Sequence, residues 1–171
     1  MEYVIKRIHP SGVAAALQKA DKYRELNQPA EAESICRDVL DVAPDNQLAL
    51  RTLGLALTDR FEPAAGARFA EAQEVFSRLG DPYEQAFYGG LVCERQAKVQ
   101  LAAHFPVNSV RPLFERALAG YAEAERHQPR GNDAAILRWN SCVRALRALG
   151  AAPVEDDAPV DIEGDFVPHR R

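Results

Sequence analysis

Ala32-Glu33-Ser34-Ile35-Cys36-Arg37-Asp38-Val39-Leu40-Asp41-Val42-Ala43-Pro44 and Ala117-Leu118-Ala119-Gly120-Tyr121-Ala122-Glu123-Ala124-Glu125-Arg126-His127-Gln128-Pro129 carry the same residue classes at the same offsets. Each begins on alanine. Cys36 or Tyr121 follows at four residues, Val39 or Ala124 three later, and proline five after that. A third stretch, Ala72, Phe76, Leu79 and Pro82, keeps the first two intervals and shortens the last by two. Self-similarity of this kind marks a helical repeat, in which each unit buries its apolar face against the next. Repeat arrays present extended surfaces, so the pattern points to binding and leaves the ligand open.

The segments ahead of these stretches agree. Ala20 and Tyr23 precede the first, Leu53, Gly54 and Leu57 the second, and Gly89, Gly90 and Cys93 the third. A small residue followed three places on by a bulky one sets both on one helical face. The small residue admits a neighbouring helix and the bulky one fills the space beside it.

Together these positions resemble the tetratricopeptide repeat (TPR), a helix–turn–helix unit of about 34 residues. The first unit matches best, through Ala20, Tyr23, Ala32 and Pro44. Cys36 stands where that family usually has an aromatic, and Val39 where it usually has Ala. The second and third units carry extra residues near Glu62 to Arg68 and near His104 to Arg111. The run Asp133-Ala-Ala-Ile-Leu-Arg-Trp-Asn-Ser-Cys142, taken with the opening helix, resembles small bacterial TPR-like proteins. The resemblance implies an all-α, right-handed superhelix of three helix pairs and a capping seventh helix, with the first helix of each pair lining a concave groove.

Helix signals place the elements. Ser11 suits the N-cap of a helix over 12–27. Pro29 suits the first position of a helix over 29–43, whose Ala32, Ile35, Cys36, Val39 and Leu40 form an amphipathic stripe. A helix over 46–60 is apolar on most sides and is expected to be the most buried. The next runs over 63–79 from Pro63 to a C-terminal Gly80. Asp81-Pro82 opens a fifth helix reaching His104. Its Gly89-Gly90 pair costs about 1 kcal/mol per glycine relative to alanine, so a close neighbour is expected in compensation. Pro106 to Pro112 reads as a loop before a sixth helix over 112–127. The seventh, over 133–149, is expected to bury Ile136, Trp139, Val143 and Leu146. Residues 1–11 form a lead-in. Residues 151–171, with three prolines and six acids, lack helical period and read as a disordered acidic tail.

Charge narrows the partners. The chain has 21 Lys and Arg against 25 Asp and Glu, for a net charge of −4. Six of the acids and two of the arginines fall within 151–171, so residues 1–150 are neutral and the tail carries the whole imbalance. A neutral body lacks the basic stripe of a nucleic-acid binder and the polybasic patch of a membrane binder. The N-terminal residues show no signal-peptide apolar region, and no apolar run is long enough to span a bilayer. A cytoplasmic protein is expected.

No catalytic, metal or cofactor site is expected. Cys93 and His104 fall eleven residues apart on one helix, about 16 Å, too far for a nucleophile and its base. Cys36, Cys93 and Cys142 are widely spaced, and none of the four histidines stands three or four residues from another. Glycines 89, 90 and 120 fit no phosphate-binding motif.

A protein or peptide partner is expected instead. By the resemblance, the groove positions are Leu17, Asp21 and Arg24 from the first unit, and Arg51, Leu55 and Thr58 from the second. The third unit supplies Glu84, Phe87, Leu91, Glu94 and Arg95, and the seventh helix adds Asn140 and Arg144. Family members that capture a chaperone's C-terminal carboxylate use Lys and Asn where this chain has Leu17 and Asp21, so that ligand is disfavoured. A peptide or helix with both charge signs and an apolar anchor fits better. Self-association through the terminal helices is the alternative. The acidic tail is expected to act as a solubilising segment, with docking in its own groove beside Arg24, Arg51 and Arg95 as the second reading.

Overall fold

The computed structural model describes residues 3–64 and 66–151, and among these it forms seven α-helices and no strand. They are α1 (Val13–Glu25), α2 (Pro29–Val42), α3 (Gln47–Thr58), α4 (Ala67–Ser77), α5 (Pro82–Ala102), α6 (Val107–His127) and α7 (Ala134–Ala151). Each helix packs on the next, and α1 also touches α3, and α3 touches α5. Short connections between successive helices make neighbours antiparallel. The result is two layers, with α1, α3, α5 and α7 in one and α2, α4 and α6 in the other.

The repeated residues are the core. Ala32, Cys36, Val39, Ala72, Ala117 and Ala124 are wholly buried, and Phe76, Leu79 and Tyr121 are 1% exposed. The small-against-large pairing recurs between units. A Cβ built on Gly54 would lie 2.4 Å from the Phe76 ring, and one on Gly90 would lie 3.2 Å from the Tyr121 ring. Gly120 returns the favour: its Cβ would lie 2.8 Å from the Gly90 backbone. The predicted compensation for the glycine pair is therefore real at Gly90, where α5 and α6 meet backbone to backbone. Gly89 faces open space. As expected, α3 is buried on most sides, with Ala49, Leu50, Thr52, Leu53, Gly54, Ala56, Leu57 and Thr58 all enclosed.

Caps fix several ends. Asn46 accepts from the Ala49 N–H at 2.9 Å, and Asp81 from the Tyr83 N–H at 2.9 Å. α1 and α5 end in the same motif. Asn27 (φ 57°) and His104 (φ 58°) enter the left-handed region. The following N–H groups then reach back, Gln28 to Tyr23 O at 2.8 Å and Phe105 to Gln100 O at 3.0 Å. This satisfies carbonyls that the helix leaves open.

The structure corrects five expectations. Ser11 caps nothing: the His9 ring accepts from the Ser11 N–H at 3.3 Å to cap a single 3₁₀ turn, Pro10–Gly12. α4 starts at Ala67 and not at Pro63, because the buried Gln96 amide holds the preceding chain as a loop. It donates to Glu62 O at 2.9 Å and Pro63 O at 3.1 Å. Gly80 has no left-handed φ, and its N–H donates to Gln47 Oε1 at 2.7 Å. Pro106–Pro112 is not a loop, for α6 begins at Val107 with Pro112 inside it. An interior proline costs about 3 kcal/mol; full burial of Val110 and Phe114 in the α5–α7 core opposes that cost. Finally, α7 is rotated from its expected facing. Ala135 and Cys142 are its buried line, while Ile136, Val143 and Leu146 are half-buried and Trp139 is 36% exposed. The tail lies outside the described residues from 152 onward.

Candidate functional site

The predicted groove positions fall on α1, α3, α5 and α7, all members of one layer. On α3, Arg51, Leu55 and Asp59 recur at every fourth residue, so they stand in line on one face. On α5, Glu84, Tyr88 and Arg95, at intervals of four and seven, also share one face. α1 contributes Asp21 and Arg24. Ionic and hydrogen-bonded rungs join these lines across the layer. Arg24 pairs with Asp59 at 2.9 Å, and Asp59 also binds Arg95. Arg95 donates to Thr58 Oγ1 at 2.7 Å, and Thr58 donates to Leu55 O at 2.8 Å. Arg51 pairs with Glu84 at 2.7 Å, and Thr52 Oγ1 donates to Asp21 at 3.0 Å.

The paired charges are partly solvated. Side-chain exposure runs from 20% for Glu84 to 33% for Arg51. Between the rungs lie half-buried Leu55 and Tyr88, with Leu48 exposed one turn before Arg51. Tyr88 stacks on Phe76 at 4.8 Å. Burial pushes its phenol pKa up, with the Glu84 charge adding and the Arg51 charge opposing. The Arg51 Nε is buried without a hydrogen-bond partner.

Other predicted positions serve the interior. Leu17 and Leu91 are 5% and 2% exposed. Phe87 is half-buried among Tyr83, Tyr88 and Tyr121 rings at 5.3–5.7 Å, an aromatic cluster rather than a groove anchor. Glu94 is wholly buried. It accepts from the Tyr121 hydroxyl and from Lys98 Nζ, each at 2.5 Å, and Arg138 Nη1 lies 3.5 Å away. It thereby ties α5 to α6 and α7. Burial, and then this Glu94 bond, push the Tyr121 phenol far above its usual range. Asn140 and Arg144 are exposed on α7 and join none of these rungs.

Sequence reasoning missed Asp59, the residue that links Arg24 to Arg95. A faint signal exists. An acid just past a helix C-terminus opposes the macrodipole, so it needs cationic neighbours. Tyr88 was missed for being one position from Phe87, with which it shares aromatic character but not face.

The other layer has its own frame. Glu33 on α2 binds Arg37 at 2.8 Å and Arg60 at 2.7 Å, and Arg37 reaches Glu71 on α4 at 2.7 Å. Two open clefts lie beside this layer. One, about 440 Å³, is lined by Gln73, Phe76, Gln85, Ala86, Gly89 and His127. The other, about 400 Å³, is lined by Arg37, Leu40, Leu53, Glu71, Val75 and Arg78.

The chemistry of the thiols is muted. Burial pushes Cys36 up to about 12, with Asp21 adding, and Cys142 up to about 12, with Glu94 adding. Burial raises Cys93 too. A thiol held protonated is neither nucleophile nor metal ligand at neutral pH. Among the described residues no group of three or more His, Cys, Asp or Glu is placed to hold a metal ion, and no helix is long and apolar enough to cross a membrane.

Comparison with protein-family models, curated proteins and solved structures gives no match. What defines the class is the geometry of the described residues, which form seven α-helices and no strand.

Proposed function

We propose that this chain is a TPR-like, right-handed superhelix that binds protein or peptide partners without catalysis, as a cytoplasmic adaptor or scaffold. The observation that carries this reading is the α1–α3–α5 face. It sets charges of both signs, each one-fifth to one-third exposed, around the apolar Leu48, Leu55 and Tyr88. Such a face suits an extended peptide or a helix with mixed charge and one apolar side chain. The apolar anchor supplies affinity, and exchange of ion pairs supplies register. The repeat spacing and the recurrent Gly54–Phe76 and Gly90–Tyr121 packing support the superhelix.

The test compares the native chain with a variant carrying Arg24→Ala, Arg51→Ala and Arg95→Ala, used to capture partners from the native cell extract. Phe87 is left alone because it packs inside. A partner held by the native chain and lost by the folded variant is the expected result. Equal retention by both would remove the face from the mechanism.

A second reading, homo-oligomerisation through the terminal helices, draws on α7. Leu137 is 66% exposed there and Trp139 36%, on opposite sides of the helix. A mass of two or more chains at micromolar concentration would favour it.

A further inference from the structure

A small, half-enclosed cavity lies where α3 gives way to α4. The buried Gln96 amide holds the connecting chain by donating to Glu62 O and Pro63 O, and α4 starts only at Ala67. The space left beside it is about 100 Å³. Phe61 and Phe69 form its apolar wall, their rings 5.9 Å apart, and Gly66, Ala67, Arg68 and Gln96 line the rest.

One donor in this lining lacks an acceptor. Arg68 Nε is buried and has no hydrogen-bond partner. The Glu62 carboxylate stands 3.9 Å from Arg68 Nη1, beyond hydrogen-bonding reach, and is itself largely exposed. Arg60, the other cation of the lining, is already paired with Glu33 at 2.7 Å. Gly66 leaves the first turn of α4 without a side-chain cap, so the positive end of that helix borders the same space. A buried donor left without an acceptor is costly, and a guanidinium beside a helix N-terminus favours an anion there.

Size and charge define the anion. A cavity of about 150 Å³ takes benzene. The smaller volume here takes about four or five non-hydrogen atoms. Arg60, Arg68 and Glu62 are the ionic residues of the lining, which leaves one positive charge in excess. That matches a monoanion rather than a doubly charged phosphate. The two phenyl rings suit a short apolar body. A carboxylate on a methyl or ethyl group has all of these properties, and its paired oxygens fit the edge of a guanidinium.

We infer that this cavity is a binding site for a short-chain carboxylate, held by Arg68 at the N-terminus of α4 with its apolar body against Phe61 and Phe69. A free acid such as propionate and the Asp or Glu side chain of another protein both carry this group. The cavity uses no residue of the α1–α3–α5 face, so it stands apart from the partner-binding reading.

The Arg68 Nε–H gives its own resonance in a ¹⁵N–¹H spectrum of the full-length chain, and Arg68→Lys identifies it by deleting it. Three probes are titrated at mildly acidic pH: sodium propionate, its neutral isostere propionamide, and N-acetyl-glutamate N-methylamide. The expected result is a saturable movement of the Nε–H signal with propionate, with a dissociation constant of about 1–10 mM, and no movement with propionamide. Arg68→Met, read through the Phe61 and Phe69 ring signals, should bind propionate at least about tenfold more weakly, with dichroism at the native value. Tighter binding of the capped glutamate would assign the group to a protein side chain, and tighter binding of propionate would assign it to a free acid. Equal movement with propionamide would overturn the inference, because the cavity would then select shape and not charge. So would a native Nε–H signal that stays in place throughout the propionate titration, or one that drifts without saturating, as general ionic screening would produce.

Discussion

Gly89 and Gly90 are adjacent in α5, yet alanine should bring its full helical gain only at Gly89. Alanine in a helix interior is worth about 1 kcal/mol over glycine. At Gly89 the new methyl meets nothing within 4 Å, so that gain should appear whole. At Gly90 the Cβ would come 3.0 Å from Ala117 O and 3.2 Å from the Tyr121 ring, which offsets the gain. Gly120→Ala is the sharpest case. Its Cβ would lie 2.8 Å from Gly90 Cα and N and 3.0 Å from Ala86 O, all backbone atoms. Ordinary carbon contacts begin near 3.5 Å, so α5 and α6 must part by about 0.7 Å at that point. Overpacking costs about 1–3 kcal/mol, and against backbone atoms it falls in the upper part of that range, about 2–3 kcal/mol, leaving about 1–2 kcal/mol of net destabilisation after the helical gain. At about 2–4 °C per kcal/mol for a chain of this size, Gly120→Ala should lower Tm by several degrees and Gly89→Ala should raise it by about 2–4 °C. Thermal unfolding followed by dichroism at 222 nm measures both. If Gly89→Ala and Gly120→Ala shift Tm in the same direction, the backbone contact between α5 and α6 is not what these glycines serve.

Two other perturbations test the polar frame. Glu94→Ala should destabilise by about 2–4 kcal/mol, because it leaves the buried Tyr121 hydroxyl without a partner. Glu94→Gln keeps an acceptor and should lose about 1 kcal/mol. Urea unfolding of both, with Tyr121→Phe to close the cycle, reads the coupling, and Glu94→Ala within about 0.5 kcal/mol of native would refute the role. For Glu33, burial opposes ionisation but the Arg37 and Arg60 bonds outweigh it and hold the carboxyl below its ordinary value. Its ionised form is thus favoured in the folded state, so its contribution is present above about pH 4.5 and fades as pH falls through the lower, folded value. Its partners are a third to a half exposed, so the contribution stays below about 1 kcal/mol. Glu33→Gln should therefore lower stability near neutrality and flatten its dependence on acid; an unchanged slope between native and variant counts against the pair.

The helical core was readable because it repeats. Ala32, Cys36, Val39 and their counterparts at 72–79 and 117–124 announce the interior by recurrence. What was not readable depended on contacts distant in sequence. Pro112 looks like a boundary locally, but Val110 and Phe114 on either side of it are drawn into the α5–α7 core, and burial outweighs the lost backbone bond. Pro63 looks like a helix start, but the Gln96 amide, some thirty residues on, claims the neighbouring carbonyls. On α7 two apolar lines lie side by side, Ala135–Cys142 and Ile136–Trp139–Val143. Bulk favoured the second as core, whereas close approach to α5 and α6 required the smaller first.

The groove positions taken from the repeat pattern fall on α1, α3, α5 and α7 and divide by burial. Leu17, Leu91 and Glu94 went inward, Phe87 joined an aromatic cluster, and Asp21, Arg24, Arg51, Glu84 and Arg95 became rungs. Helical period fixes which face a residue occupies, not how near the next helix stands, and that distance decides between core and groove. It also shapes what the face can do. Every cation among these rungs already has an anion, so a ligand carboxylate gains only by displacing Asp59 or Glu84, an exchange of one partly solvated pair for another. Little net energy comes from such an exchange. On the proposed reading, the apolar surface of Leu48, Leu55 and Tyr88 would then supply most of the affinity, at about 25 cal/mol per Å² covered. The charged rungs would set orientation and reject ligands whose signs run the wrong way.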